Sequence, residues 1–444
     1  MTTNTTATAS ATGSGAGKTS RAATVTRTVE RLIDRAAAAA YAPYQTAILR
    51  IGLSGVWLFY LLRHWPDRLD MHGPDAPWSW AMAESWASPS AFDGLLWWQG
   101  RAYYEFFYVL AIAAAAAVLL GWRTRTTSVV MALGILSFQH RNEFVTNAGD
   151  RLLHILALYL VFTRCAQVWS LDARREKGRQ GRPLRDRTGI VLWAVSGAAI
   201  VFLGATGRLI VPWIVTLSVL WLAQAVWWAV SAYAPDVPRS VCDRIANLVH
   251  NGALVVIAFQ VCIVYACAGW YKIPGSSWQQ GTAVYYALHQ EFLTSWPMLS
   301  EALASSSVLV LAMTYGTVIV QVAFPFALLR RKAKNVLLVL LIGEHIGIGV
   351  LMGLPYFSMV MIAADSIFAP TALLLWLGRT AGRLGRRVLD GPEGEEVEEV
   401  EEVEEVEEGA TEKPRDAGDA DEADADASTA TEPATTPAPA RSRS

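Results

Sequence analysis

The sequence predicts an all-α fold: a polytopic transmembrane helix bundle of about ten spans, with disordered N- and C-terminal tails. Three observations carry this. Hydrophobic residues make up 53% of the chain and charged ones only 17%, with a mean hydropathy of +0.29, outside the range of soluble domains. Apolar stretches recur at the length of about 20 residues that a hydrocarbon core of about 30 Å requires. Arginine and lysine then alternate from flank to flank in step with those stretches.

The elements follow in order. Residues 1–25 are rich in Thr, Ala, Ser and Gly and have no apolar signal-peptide core, so they read as a disordered N-terminal segment. Residues 26–388 read as one transmembrane domain, because no stretch of soluble-domain size interrupts the spans. These fall near 44–62, 104–121, 126–140, 151–168, 189–207, 209–231, 246–271, 306–329, 335–353 and 357–376. Between the first two, residues 63–103 contain Trp65, Trp78, Trp80, Trp86, Trp97 and Trp98. Indole joins an apolar body to one N–H donor, so this loop reads as an interfacial or re-entrant cap. Residues 273–305, with Tyr285, Tyr286 and Trp296, form a second long outer loop.

Residues 389–444 form an acidic, low-complexity tail. From Asp390 onward there are 20 acidic and 4 basic residues, against 33 basic and 19 acidic ones before it. The near-neutral total therefore joins a basic membrane body to an acidic tail. Glu-Glu-Val repeats between Glu395 and Glu408 predict disorder through like-charge repulsion and lack of apolar surface. Such a tail is either a solvated appendage or an arm for a basic protein partner.

Orientation follows from the cations. With both termini in the cytoplasm, the cytoplasmic flanks collect 24 Lys and Arg residues and the outer loops 7. That asymmetry places the chain in the cell (plasma) membrane with its lipid bilayer as principal partner. Nothing in the pattern points to nucleic acid. Cys165, Cys242, Cys262 and Cys267 lack CxxC spacing, and no His/Cys/Asp/Glu cluster has metal-ligand spacing, so neither a disulfide framework nor a metal site is expected.

Ionisable side chains inside a bilayer are expensive, so each is a candidate site residue. The intramembrane set is Arg50, His154, Glu344, His345 and Asp365, with Asp150 at the outer mouth of the fourth span, one turn from His154. For Arg50 the simplest expectation is an interhelical ion pair with Glu344 or Asp365. Glu344 and His345 are sequence neighbours, about 100° apart around a helix, so one can pair structurally while the other lines a cavity. Lys272, in Ala268-Gly269-Trp270-Tyr271-Lys272-Ile273, ends the seventh span and is the one lysine on the outer side. It either snorkels to the headgroups or, desolvated beside Trp270 and Ile273, serves as a base.

Three segments, in order, resemble the horizontally transferred transmembrane domain family, which includes vitamin K-dependent γ-glutamyl carboxylase. The first runs from Asn142 to Asp172 and includes Asn147-Ala148-Gly149-Asp150. The second is Ala268 to Ile273, then Trp278 and Gly281 to Tyr286. The third is His345-Ile346, then Phe357 to Met361 and Ile367 to Pro370. The resemblance implies an outer-face active site in which a lysine base, here Lys272, deprotonates a vitamin K-type quinone in its reduced form, with His345 and Asp150 orienting. Two departures stand out. The carboxylase has a large lumenal domain where this chain has its acidic tail, and Gly149-Asp150 replaces a histidine of the animal enzymes. Carboxylation of a protein glutamate is therefore not implied.

Three functional classes follow. The first is a membrane-embedded enzyme acting on a quinone or other lipid-soluble substrate through Lys272. The second is a non-catalytic membrane protein, such as a complex subunit or an immunity-type factor, that binds partners through its outer loops or tail. The third is a transporter, with Arg50, Glu344 and Asp365 on its pathway, although no inverted repeat is evident.

Overall fold

The computed structural model describes residues 15–88, 91–179, 187–233 and 236–390. It is helical throughout, with no strand among the described residues. Two compact units, Met1–Leu377 and Gly378–Ser444, divide the chain. The described part of the second is the end of one helix. The rest of the acidic tail, and the disorder expected of it, lie outside the described residues.

Twelve longer helices organise the chain: α1 (Gly15–Ala38), α2 (Pro43–Arg63), α3 (Arg101–Leu120), α4 (Thr124–Arg141), α5 (Ala148–Val161), α6 (Arg187–Ala205), α7 (Val211–Tyr233), α8 (Asp236–Lys272), α9 (Ser307–Ala327), α10 (Arg331–Leu351), α11 (Pro355–Asp365) and α12 (Thr371–Asp390). Seven of them, α2, α3 and α6 to α10, are long and apolar enough to cross a membrane. An eighth is reached if Pro355–Phe368 and Thr371–Arg383, bent by 116° at their break, count as one span. This is the architecture of a multi-pass helical membrane protein.

Every expected span contains a helix, although the fourth, 151–168, is helical only to Val161 and the tenth, 357–376, is broken at Ala369 and Pro370. The count of about ten exceeds the seven or eight that meet the length and hydropathy of a crossing. The difference lies in α4 and α5. The first carries Gln139, His140 and Arg141 in its last turn, and the second has 14 residues, about 21 Å of helix. Both are packed inside the bundle, where Met131, Ile135, Leu153 and Leu156 are fully buried. A helix covered by other helices needs neither full span length nor an all-apolar surface. By contrast, α6 and α7 bury no residue. They pair through stacked Trp193 and Trp221, 4.0 Å apart, each indole N–H donating to the other residue's carbonyl.

Helix α1 begins at Gly15, so residues 15–25 of the segment assigned to disorder are helical. The apolar run Val25, Val29, Leu32, Ile33 and Ala36 repeats at three- and four-residue spacing, which outweighs the Thr-rich composition. Its C-terminal carbonyls are held by α8: Asn247 donates to Ala37, and Asn251 to Ala36 and Ala39.

The tryptophan-rich segment, residues 63–103, caps the end of α4. Arg141 donates to the carbonyls of Gly73 and Trp78, and Asn142 to that of Met71. Residues 273–305 form three short helices tied down by Val284 N–H donating to Thr314 and Ser295 N–H to the Leu351 carbonyl.

Candidate active site

Tyr265, Ala268, Gly269 and Lys272 share one face of α8, at the spacing of successive helical turns. That face meets α9 closely. A β-carbon on Gly269 would stand 2.6 Å from Val322 Cγ2 and 3.1 Å from Val322 N, so only glycine allows the approach. The approach brings Gln321 of α9 against the end of α8. Lys272 Nζ donates to Gln321 Oε1 at 2.8 Å and to the Ala268 carbonyl at 3.2 Å. Gln321 Nε2 in turn donates to Glu344 Oε1 of α10 at 2.5 Å. A cation needs an acceptor and a carboxylate needs a donor, so this pair of partners fixes the orientation of the amide. The ammonium also lies 5.3 Å from the centre of the Trp278 ring, within cation–π range.

One residue along α10, His345 turns inward to a second group. Its Nε2 is 3.0 Å from the Tyr265 hydroxyl, which lies 2.9 and 2.8 Å from the two carboxylate oxygens of Asp365 at the end of α11. Tyr265, His345 and Asp365 are 1%, 2% and 0% exposed. With the tyrosine O–H donating to Asp365, the tyrosine oxygen accepts from His345 Nε2–H. That tautomer leaves Nδ1 a bare acceptor, and Nδ1 is buried with no hydrogen-bond partner among the described residues. Phe357 meets the imidazole edge-on at 5.6 Å.

Four expected residues, Lys272, Glu344, His345 and Asp365, are thus brought into two adjacent groups on α8, α9, α10 and α11. The others are not. Asp150 belongs to a capping box: Asn147 N–H donates to Asp150 Oδ2 at 2.8 Å, and Asn147 Oδ1 accepts from Gly149 N–H at 2.7 Å. Its carboxylate is committed to starting α5. His154 is half-buried on α5 and bonds to neither group among the described residues.

The ion pair expected of Arg50 does not form. Its guanidinium is fully buried and donates to four carbonyls: Val118 and Leu119 at 2.5 and 2.6 Å, Trp169 at 2.7 Å and Cys165 at 3.3 Å. Val118 and Leu119 end α3, where unpaired carbonyls and the helix dipole both favour a cation. Gly121 makes room for it with a φ of 67°, and a β-carbon there would lie 3.0 Å from Arg50 Nη1.

Tyr265, Gln321 and His250 were not singled out from sequence. Tyr265 lies two turns before Lys272, which places it on the same face. Gln321 interrupts the apolar run Thr317-Val318-Ile319-Val320. His250 bridges Tyr41 O at 2.8 Å and Arg164 N–H at 2.8 Å, a tie between segments. Among the described residues no group of His, Cys, Asp and Glu could hold a metal ion. Comparison with family models, with curated proteins and with solved structures finds no match.

Proposed function

We propose that this chain is a membrane-embedded acid–base enzyme of the horizontally transferred transmembrane domain type, acting at the outer face of the plasma membrane on a lipid-soluble substrate with an acidic hydroxyl. A quinol is the substrate class that fits best. The observation that carries the reading is the line from Lys272 through Gln321 to Glu344, set beside the unpaired Nδ1 of His345. Buried polar groups in apolar helices are normally satisfied, and a buried acceptor without a donor is where a ligand hydroxyl would bind.

Lys272 Nζ would take the proton as the neutral amine, and Gln321 would hold the nitrogen in position in both states, because an amine N–H donates to Oε1 as an ammonium N–H does. Glu344, at the far end of the amide, would stabilise the ammonium formed. His345 Nδ1 would accept a hydrogen bond from the ligand, its ring fixed by Tyr265 and Asp365. A bound quinol would supply the ionisable hydroxyl and, once deprotonated, would pass two electrons to dissolved oxygen, leaving as quinone while the oxygen takes up both protons as hydrogen peroxide. On this reading both termini are cytoplasmic, as the distribution of Lys and Arg supports.

A second reading is favoured by the near-complete burial of Tyr265, His345 and Asp365: a non-catalytic membrane protein whose polar groups tie helices together. The two separate in one experiment. Full-length protein purified in mild detergent should retain a quinone detectable by mass spectrometry and support hydroquinone-dependent oxygen uptake. Lys272→Ala should abolish that uptake while helicity and monodispersity persist. Uptake unchanged in Lys272→Ala would sink the enzyme reading, and a wild type with neither quinone nor uptake would favour the second.

A further inference from the structure

At the other end of α8, roughly 43 Å of helix from Lys272, a cleft of about 1460 Å³ opens between α4, α5 and the hairpin of α6 and α7. It exceeds the roughly 300–1,000 Å³ of ordinary small-molecule pockets. Its lining divides into two zones. One is basic, with Arg123, Arg125, Arg164, Arg175, Lys177 and Arg239 against Asp172, Glu176 and Asp243. The other is apolar and aromatic, with Ile190 and Trp193 of α6 and Trp227 and Trp228 of α7.

Asp172 and Asp243 are already engaged. Asp172 accepts from Arg123 N–H at 3.0 Å and from Thr124 N–H at 2.9 Å, capping α4 from a distance. Asp243 pairs with Arg164 at 3.1 Å. Arg125 lies over the Trp227 ring, 4.1 Å from its centre. A guanidinium stacked in this way keeps its in-plane N–H fork directed outward, the geometry that suits two phosphate oxygens. Cations beside tryptophans at one end of lipid-facing helices match a headgroup and its acyl chains together.

We propose that this cleft binds an anionic phospholipid, its phosphodiester held by Arg125 and Arg239 and its chains laid along Trp193 and Trp227. Free phosphate would use the same cations but leave the apolar zone empty. The acidic tail of this chain, also anionic, is the competing occupant.

The test is native mass spectrometry of delipidated full-length protein titrated with phosphatidylglycerol or phosphatidylcholine. Wild type should retain phosphatidylglycerol about tenfold better, Arg125→Gln and Arg239→Gln should each lose part of that preference, and the double variant all of it. Excess inorganic phosphate should not displace the lipid. Should the double variant fail to fold, Arg239→Gln alone, at an exposed position, carries the test. Equal retention of the two lipids by wild type, or an unchanged preference in the variants, overturns the proposal. So does a phosphatidylglycerol preference that appears only when the glutamates of Glu395–Glu408 are replaced by glutamine, which would give the cleft to the tail.

Discussion

Arg50 and the Lys272–His345 region are both polar groups sunk in apolar helices, yet they are satisfied in opposite ways. Arg50 spends its guanidinium on four backbone carbonyls, and its hydrogen-bond partners among the described residues are main chain. The second region is side chain on side chain: lysine to amide to carboxylate, and histidine to tyrosine to carboxylate, with one imidazole nitrogen left over. A cation bound to carbonyls has fixed geometry and nothing to exchange. Side chains that hold one another can trade protons and reorient. The contrast separates a fastener from a site better than burial does, because Arg50 and His345 are both buried.

The largest effect that would break this comparison is expected at the fastener. Arg50→Met keeps much of the volume but takes the side-chain donor from four carbonyls, of which that of Val118 keeps Gly121 N–H as a donor at 3.0 Å. Each unsatisfied buried group costs about 1–3 kcal/mol, so a stability loss above about 3 kcal/mol is expected in thermal unfolding of detergent-solubilised protein. Arg50→Lys should recover less than half of it, because an ammonium cannot present the planar fork. Wild-type stability in Arg50→Met would mean that the carbonyl clamp is not structural.

A smaller effect is expected at Tyr265. Tyr265→Phe keeps the ring against Phe324, 5.4 Å away, but takes the hydroxyl from between His345 and Asp365. The expected cost is about 1–3 kcal/mol. Combined with Asp365→Asn, the loss should fall short of the sum, by about the 0.6–1.7 kcal/mol measured for polar pairs in membrane helices. Strict additivity would mean that the three side chains do not act as a unit.

The sequence made some of this legible, and physics says why the rest was hidden. Apolar length is a strong signal, so each expected span contains a helix. Whether a helix faces lipid or its neighbours is a property of the packed bundle, and in α4 and α5 burial against other helices replaces the length and hydropathy of a free-standing span. Charged residues within a span announce themselves, so Lys272, Glu344, His345 and Asp365 were found. Tyr265 and Gln321 cost a membrane far less and passed as ordinary. Arg50 was assigned an acid because a search for partners among side chains cannot see carbonyls. Asp150 was readable, since Asn147 followed three residues later by an acid at a helix start is a capping pattern. Its one-turn spacing from His154 drew attention elsewhere.

Arg141 extends the comparison to the tryptophan-rich cap, where it repeats the device of Arg50 by binding the carbonyls of Gly73 and Trp78. Beside it His72 is buried, stacked edge-on to Phe138 at 5.2 Å. Burial first, then the charge of Arg141 and of His64, pushes the imidazole down from 6.5 to about 3. In an opened cap the same imidazole takes a proton near its ordinary value, so between these limits the open state binds more protons. The stabilisation is therefore complete above about 6.5 and is lost progressively as the pH falls toward 3. Asp93, whose carboxyl burial pushes up, acts with the opposite sign, so His72→Leu is needed to isolate the histidine. Hydrogen exchange in residues 64–88 should quicken between neutral pH and about pH 5 in wild type, after correction for intrinsic rates, and much less in His72→Leu. Exchange around Arg50, whose guanidinium is held by backbone carbonyls, should stay flat. If both ends loosen together in acid, the cap and the clamp are one cooperative unit, and the likeness of the two arginines runs deeper than their carbonyl partners.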